Sequence, residues 1–362
     1  MRLNPLTIQS NIKSYTVLFE ETPAFVTTLA ALENAVFIVD KQVWQLHQHS
    51  TLAALPNERV ILQSAEESLK TIDSVCHLYE RIMHYAPRKN LNLVSIGGGI
   101  IQDITGFVAS SLYRGVNWIF VPTTFLAQVD SCIGAKTSLN FKQYKNLVGT
   151  FYPPSTIHLY PGLLNTLSTY DYYSGVGEMA KLHLLDGEES TQALLADLPA
   201  LDAKEPSAIL KRSQACLAIK KAYIEEDEFD TGRRNLLNYG HCFGHAIESA
   251  CEFAMSHGQA VVLGMILANQ EAKERGLLSV ENEAFVRKEI LMPILQPESR
   301  AVRFDVAQAV SAMGQDKKNT GKGLALVMLT DDFKAVKITD MPPKTAQLRL
   351  EKWLETTPSL VV

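Results

Sequence analysis

The chain has 362 residues, 46% of them hydrophobic and 20% charged, with a net charge of −5. That length exceeds one ordinary core and predicts two domains. The acidic balance argues against a general nucleic-acid binder, which needs a basic surplus. No apolar run reaches membrane-spanning length, and the opening Met1-Arg2-Leu3-Asn4-Pro5-Leu6 lacks the regions of a signal peptide. Cys76, Cys132, Cys216, Cys242 and Cys251 form no C-x-x-C pair. Neither a disulfide framework nor a structural zinc site is therefore expected, and a cytoplasmic location is.

In chain order, residues 14–19, 35–39 and 59–63 are short, β-branched or aromatic runs that predict strands, the second ending at Asp40. From Glu66 to about Tyr85, Leu69, Ile72, Val75, Leu78 and Ile82 recur at helical spacing. A buried strand over 91–96 then runs into Gly97-Gly98-Gly99, followed by a helix from Ile100 to about Leu112 and a strand at 118–121. Strands alternating with helices imply a Rossmann-like parallel α/β sheet. Beyond about residue 155 helical patterns dominate, at 175–185, 206–224, 258–276 and 282–295, with a late hairpin of 324–329 and 334–338. Tyr152-Pro153-Pro154 breaks both regular structures. The expectation is a nucleotide-type domain over 1–155, a mostly α-helical domain over 156–362, and a site in the cleft between them.

Two stretches carry candidate chemistry. The glycine triplet lets something approach the backbone, and the helix after it favours a phosphate; it is not the G-x-G-x-x-G fingerprint, and a tight strand-to-helix turn is the plainer alternative. Asp103 would lie on the first turn of that helix, where a carboxylate suits the helix dipole. The second stretch runs from Arg234 through Asn238, His241 and His245 to His257, so three of the nine histidines fall within 241–257. If it is helical, His241 and His245 share a face. Three imidazoles suit zinc or a similar divalent metal, yet core or surface histidines account for the spacing equally.

Several separated stretches match one family together. They are Glu67-Ser-Leu-Lys70, Gly97-Gly-Gly-Ile-Ile-Gln-Asp103, Tyr113-Arg114-Gly115, Val121 to Thr137, and Lys145-Asn146-Leu-Val-Gly149. In the second half come Ser174-Gly-Val-Gly-Glu178-Met-Ala-Lys181, Lys220, Arg234 to Glu248, His257-Gly258 and Asp316-Lys317-Lys318. The chain closely resembles 3-dehydroquinate synthase, within the sugar-phosphate cyclases. That resemblance implies a held NAD, a divalent metal (zinc or cobalt), a homodimer, and a lyase of the shikimate pathway. The family converts 3-deoxy-D-arabino-heptulosonate 7-phosphate to 3-dehydroquinate by transient oxidation at C5, phosphate β-elimination, re-reduction and intramolecular aldol closure.

By family position the metal ligands are Glu178, His241 and His257, while His245 handles protons near the substrate. Lys136, Lys181, Lys220, Arg234 and Asn238 match the catalytic and substrate contacts, joined by Asn146, by Lys317 (or Lys318), and by Arg114 reaching in from the second subunit. The NAD positions are Asp40, Glu67, Lys70, Gly98, Gly99, Asp103, Thr123, Thr124 and Lys145, with Asp130 matched to both cofactor and substrate. Gln102, Ala135, Gly177, Cys242 and Gln42 depart from the usual residues, and Asp230 is shorter than the usual glutamate, so it receives no catalytic role. The departures keep open a sister cyclase of the 2-deoxy-scyllo-inosose or 2-epi-5-epi-valiolone synthase type. A metal-dependent alcohol dehydrogenase and a non-catalytic relative are the more distant alternatives.

Overall fold

A computed structural model describes residues 3–85, 89–142, 144–252, 254–315 and 323–357. Its contacts divide the chain into one unit of residues 1–167 with 203–229 and another of 168–202 with 230–362. The first unit thus extends past the expected boundary at 155 and takes in residues 203–229, which the sequence reading assigned to the helical half. The reason is packing, since Leu210, Leu217 and Ile224 join the core of the parallel sheet.

In the first unit the strands are β1 (Leu6–Ile8), β2 (Tyr15–Phe19), β3 (Ala35–Asp40), β4 (Val60–Gln63), β5 (Asn92–Gly97), β6 (Asn117–Pro122), β7 (Lys136–Phe141), β8 (Tyr144–Phe151) and β9 (Thr156–Leu159). Seven form one sheet in the order β1-β2-β9-β6-β5-β3-β4, parallel except for β1 against β2. Helices α1 (Ala24–Ala30), α2 (Lys41–His47), α3 (Ile72–Met83) and α4 (Gly99–Ser111) connect them. Strands β3 and β5 are mainly apolar, Ser95 being buried within β5, because both faces are covered, by two separate clusters of core side chains. The chain leaves β3 for β4 on one side and β5 for β6 on the other. A topological switch point therefore lies between β3 and β5, where doubly wound sheets open a crevice at their carboxyl ends.

Strands β7 and β8 make a separate antiparallel hairpin that the sequence reading missed. Ser138 and Asn140 interrupt its apolar pattern for a reason given below. The helix expected from Glu66 starts only at Ile72. Thr71 caps it by accepting from the Ser74 amide at 3.4 Å, and a 3-10 turn at 67–69 leaves Leu69 and Ile72 exposed.

The second unit is helical, with α5 (Thr169–Leu185), α6 (Glu188–Asp202), α8 (His241–Ala250) and α9 (His257–Glu274); α7 (Pro206–Glu226) belongs to the first unit. The hairpin of β10 (Leu324–Leu329) and β11 (Ala335–Met341) agrees with the late strand pair. The 282–295 pattern is not one helix. It passes from α-helix at 280–285 through a π-turn at 286–291 to a short turn holding Pro293, whose ring cannot continue a regular helix. Among the described residues, no helix is long and apolar enough to cross a membrane.

Candidate active-site residues in the two units

In the first unit the cofactor positions assemble along the carboxyl edge of the sheet. Asp40 ends β3, the glycine triplet ends β5, and Thr123 and Thr124 follow β6. Helix α4 starts from Gly98 with no side-chain cap, so its first amides are open to an anion. A Cβ on Gly98 would sit 2.8 Å from Thr124 Cγ2, whereas one on Gly99 would meet nothing nearer than Ser131 Oγ at 3.9 Å. The protein itself therefore requires glycine at 98 but leaves open space at 99, as a cradle for a pyrophosphate would. Asp40 caps α2 by accepting from the Gln42 amide at 2.9 Å, and burial raises its carboxyl pKa.

Asp103 is the fifth residue of α4 rather than part of its first turn, because the helix begins at Gly99. Its Oδ1 accepts from the Ser138 amide at 3.1 Å, and its Oδ2 from Ser138 Oγ at 2.8 Å and Lys70 Nζ at 3.2 Å. Burial pushes the Asp103 pKa up, and Lys70 and Ser138 pull against that rise. Lys70 also donates to Asn146 Oδ1 at 2.5 Å, and Asn140 Nδ2 donates to Glu67 Oε1 at 2.8 Å. Glu67, Lys70, Asp103 and Asn146 thus form one network through Ser138 and Asn140. Those two were missed in the sequence, although their i, i+2 spacing on a strand places them on one face.

The π-turn at 127–131 carries Asp130, which takes the Lys220 ammonium on its carboxylate and, at 2.7 Å, on its carbonyl. Gln102, one of the family departures, binds the same turn. Its Nε2 donates to the Ser131 carbonyl at 2.7 Å, and Ser131 Oγ donates back at 3.1 Å. Ala135 holds φ +60, a left-handed conformation natural to the glycine usual there, immediately before Lys136. Lys136 and Lys145 are exposed on the hairpin strands. Arg114 is exposed in a left-handed turn (φ +63) between Tyr113 and Gly115.

In the second unit the histidine stretch is not one helix. A 3-10 turn over 233–238 holds Arg234, buried to 4% exposure, and Asn238, whose Nδ2 donates to the Asn235 carbonyl at 2.8 Å. Gly240 breaks the path at φ +79, and α8 starts afresh at His241. Helices α5, α8 and α9 then approach closely. A Cβ on Gly258 would lie 1.8 Å from the Ser174 carbonyl oxygen, and one on Gly264 1.9 Å from that of Gly240. Gly177, another departure, has room for no alanine, since its Cβ would meet the Gly258 carbonyl at 2.5 Å.

These crossings bring Glu178, His241 and His257 together. Glu178 Oε1 lies 3.6 Å from His241 Nε2 and 3.2 Å from His257 Nε2. Ligands on a tetrahedral zinc at roughly 2.0–2.1 Å stand about 3.3 Å apart, so these spacings suit one cation. The three imidazoles of His241, His245 and His257 also offer nitrogens within 4.8 Å of one another, a looser set. Each nearer imidazole has Nδ1 against an acceptor: the Tyr239 carbonyl at 3.2 Å for His241 and Glu248 Oε2 at 3.1 Å for His257. That arrangement assigns the proton to Nδ1 and leaves Nε2 to a metal.

Glu178 is 1% exposed; Lys181 Nζ stands 2.5 Å from its Oε2, and its Oε1 faces the two Nε2 atoms. A buried carboxylate with one oxygen turned to two imidazole nitrogens suits a cation ligand. Burial works against a charged His257, but Glu178 and Glu248 outweigh it and raise its pKa to about 10. A cation at this place must therefore displace a proton. His245 is exposed on the same face of α8, its ring centroid 5.1 Å from that of His241. Lys317 lies outside the described residues.

With this geometry in hand, comparisons place the chain among known proteins. Residues 60–174 match the model of the 3-dehydroquinate synthase N-terminal domain, and residues 175–319 match that of the C-terminal domain. The 3-dehydroquinate synthase of Alkaliphilus metalliredigens is 36% identical over 273 residues, 75% of this chain and 76% of that protein. A 2-deoxy-scyllo-inosose synthase solved with carbaglucose-6-phosphate, NAD+ and Co2+ superposes with TM-score 0.83 at 22% identity, covering 96% of this chain and all of that one. The 2-epi-5-epi-valiolone synthase of Streptomyces hygroscopicus, with NAD+ and Zn2+ bound, gives TM-score 0.80 at 24% identity, covering 98% of this chain and 99% of that one. The two solved structures establish the fold.

Proposed function

The chain belongs to the 3-dehydroquinate synthase family, and from that premise we propose that it converts 3-deoxy-D-arabino-heptulosonate 7-phosphate to 3-dehydroquinate and phosphate, with NAD and a divalent cation. The observation that carries the metal part is the convergence of two Nε2 atoms on one buried Glu178 oxygen. Two imidazoles and a carboxylate suit zinc, with a fourth position left for substrate. The glycine cradle at the switch point between β3 and β5 supports NAD binding, with the Lys70–Asp103 network beside it.

When bound, NAD would take up and return one hydride, and the cation would acidify the reacting alcohol. The remaining work falls to side chains of this chain. Lys181 and Arg234, both buried, would supply positive charge for the carboxylate and phosphate of the substrate, either of which a guanidinium can grip through two parallel bonds. By family position Lys136, Lys220, Asn146, Asn238 and Lys317 are further substrate contacts, and Asp130 pairs with Lys220. His245, exposed beside the ligands, moves the proton during elimination.

We assign the enzyme to the cytoplasm, where its five free cysteines would stay reduced, and to a homodimer. Phe141, Tyr144, Leu147 and Val148 expose apolar surface on one hairpin, which supports a second copy covering it and offering Arg114 across the interface.

Incubating the NAD- and zinc-loaded protein with the heptulosonate phosphate tests the assignment. We expect stoichiometric phosphate release with no net NADH. Release only from glucose 6-phosphate or sedoheptulose 7-phosphate would transfer the chain to a sister cyclase, and steady NADH accumulation would make it a dehydrogenase.

A further inference from the structure

We propose that Glu248 is the positioning residue of the metal centre, holding Nδ1 of His257 so that Nε2 faces the cation. The proposal rests on the metal reading of Glu178, His241 and His257. Glu248 follows His241 by seven residues and His245 by three on α8, so all three share one helix face. Its Oε2 lies 3.1 Å from His257 Nδ1, while His257 Nε2 lies 3.2 Å from Glu178 Oε1. The imidazole is thus gripped at both nitrogens by carboxylates from different helices, α8 on one side and α5 on the other.

The two histidines are held differently. His241 points Nδ1 at the carbonyl of Tyr239, two residues away, so the local backbone fixes its ring. His257 is the first residue of α9, after a loop, and has no such local acceptor in its hydrogen bonding. Its ring retains about 32% exposure and could flip about χ2, presenting Nδ1 instead, were the acceptor removed. Glu248 supplies from α8 what the backbone supplies to His241. It adds a negative charge that raises the basicity of His257 as a ligand.

Equilibrium Zn2+ and Co2+ binding to the full-length apoprotein, measured by competition with a chromophoric chelator, tests this without turnover. Loss of an outer carboxylate of this kind costs about 10- to 100-fold in metal affinity. We expect a loss of that size for Glu248→Ala, smaller for Glu248→Gln, whose amide oxygen still accepts from Nδ1. NAD affinity should stay unchanged in both. Should the alanine variant fail to fold, the glutamine variant together with the Co2+ absorption spectrum carries the test, a shifted spectrum being expected. Wild-type affinity and spectrum in both Glu248 variants, with binding abolished by Glu178→Gln, would overturn the role of Glu248 alone. Wild-type affinity in Glu178→Gln would overturn the metal reading beneath it. Equal losses in the alanine and glutamine variants would assign Glu248 to charge and remove its positioning role.

Discussion

The polar clusters of the two units are built on opposite terms. In the first unit Lys70, Asp103, Ser138, Asn140 and Asn146 satisfy one another, and Asp130 satisfies Lys220. In the second unit Glu178 is buried, with Lys181 Nζ 2.5 Å from one oxygen and His257 Nε2 3.2 Å from the other. The first cluster is a scaffold that keeps its shape by itself. The second gathers two imidazoles and an ammonium around one buried carboxylate, an arrangement in which a cation can take the place of a proton. Helices crossing at glycine contacts hold these groups together from outside.

Substitutions that disturb one region and spare the other sharpen that contrast. The largest effect is expected from Gly258→Ala, whose methyl would collide with the Ser174 carbonyl and push α9 from α5. Overpacking of this kind costs about 1–3 kcal/mol, to be read as a lowered thermal midpoint. The 3.2 Å approach of Glu178 to His257 should open with it, so zinc binding is lost while NAD binding persists. Retained zinc affinity would show that the glycine crossing does not build the site.

A smaller effect is expected in the first unit from Asp103→Asn. Burial raises the folded pKa of Asp103, so between its ordinary value of 3.8 and that raised value the folded state binds more protons than the unfolded. Its contribution to stability then falls as pH rises through that window. The asparagine variant should flatten this dependence in chemical denaturation followed against pH. An unchanged slope would mean that Lys70 and Ser138 cancel the cost of burial.

The smallest effect is expected at Ala135→Gly. The left-handed backbone there costs a residue with a Cβ roughly 1–2 kcal/mol, partly offset by the greater freedom of glycine when unfolded. A gain of about 0.5–1 kcal/mol should appear in denaturant unfolding. Destabilisation would show that the Ala135 side chain, nearly buried, contributes more by packing than its backbone loses.

Much of the α/β architecture was legible because β3, β5 and β6 are short, mainly apolar runs, and because α4 follows directly from a glycine turn. The β7–β8 hairpin was not, since Ser138 and Asn140 face a polar network that only the fold assembles. In the histidine stretch, the clustering of imidazoles and the shared face of His241 and His245 could be read from spacing. The break at Gly240 could not, because that residue answers to the backbone of α9 across the crossing.

By itself, then, the sequence determined which chemical groups this protein has and the local periods that carry them, since propensity and side-chain spacing act over a few residues. Tertiary structure decided which groups meet. Glu178 stands 63 positions before His241, and their 3.6 Å separation depends on helix packing that no local pattern encodes. The same packing distinguishes His257, gripped between two carboxylates, from His245, left exposed beside it.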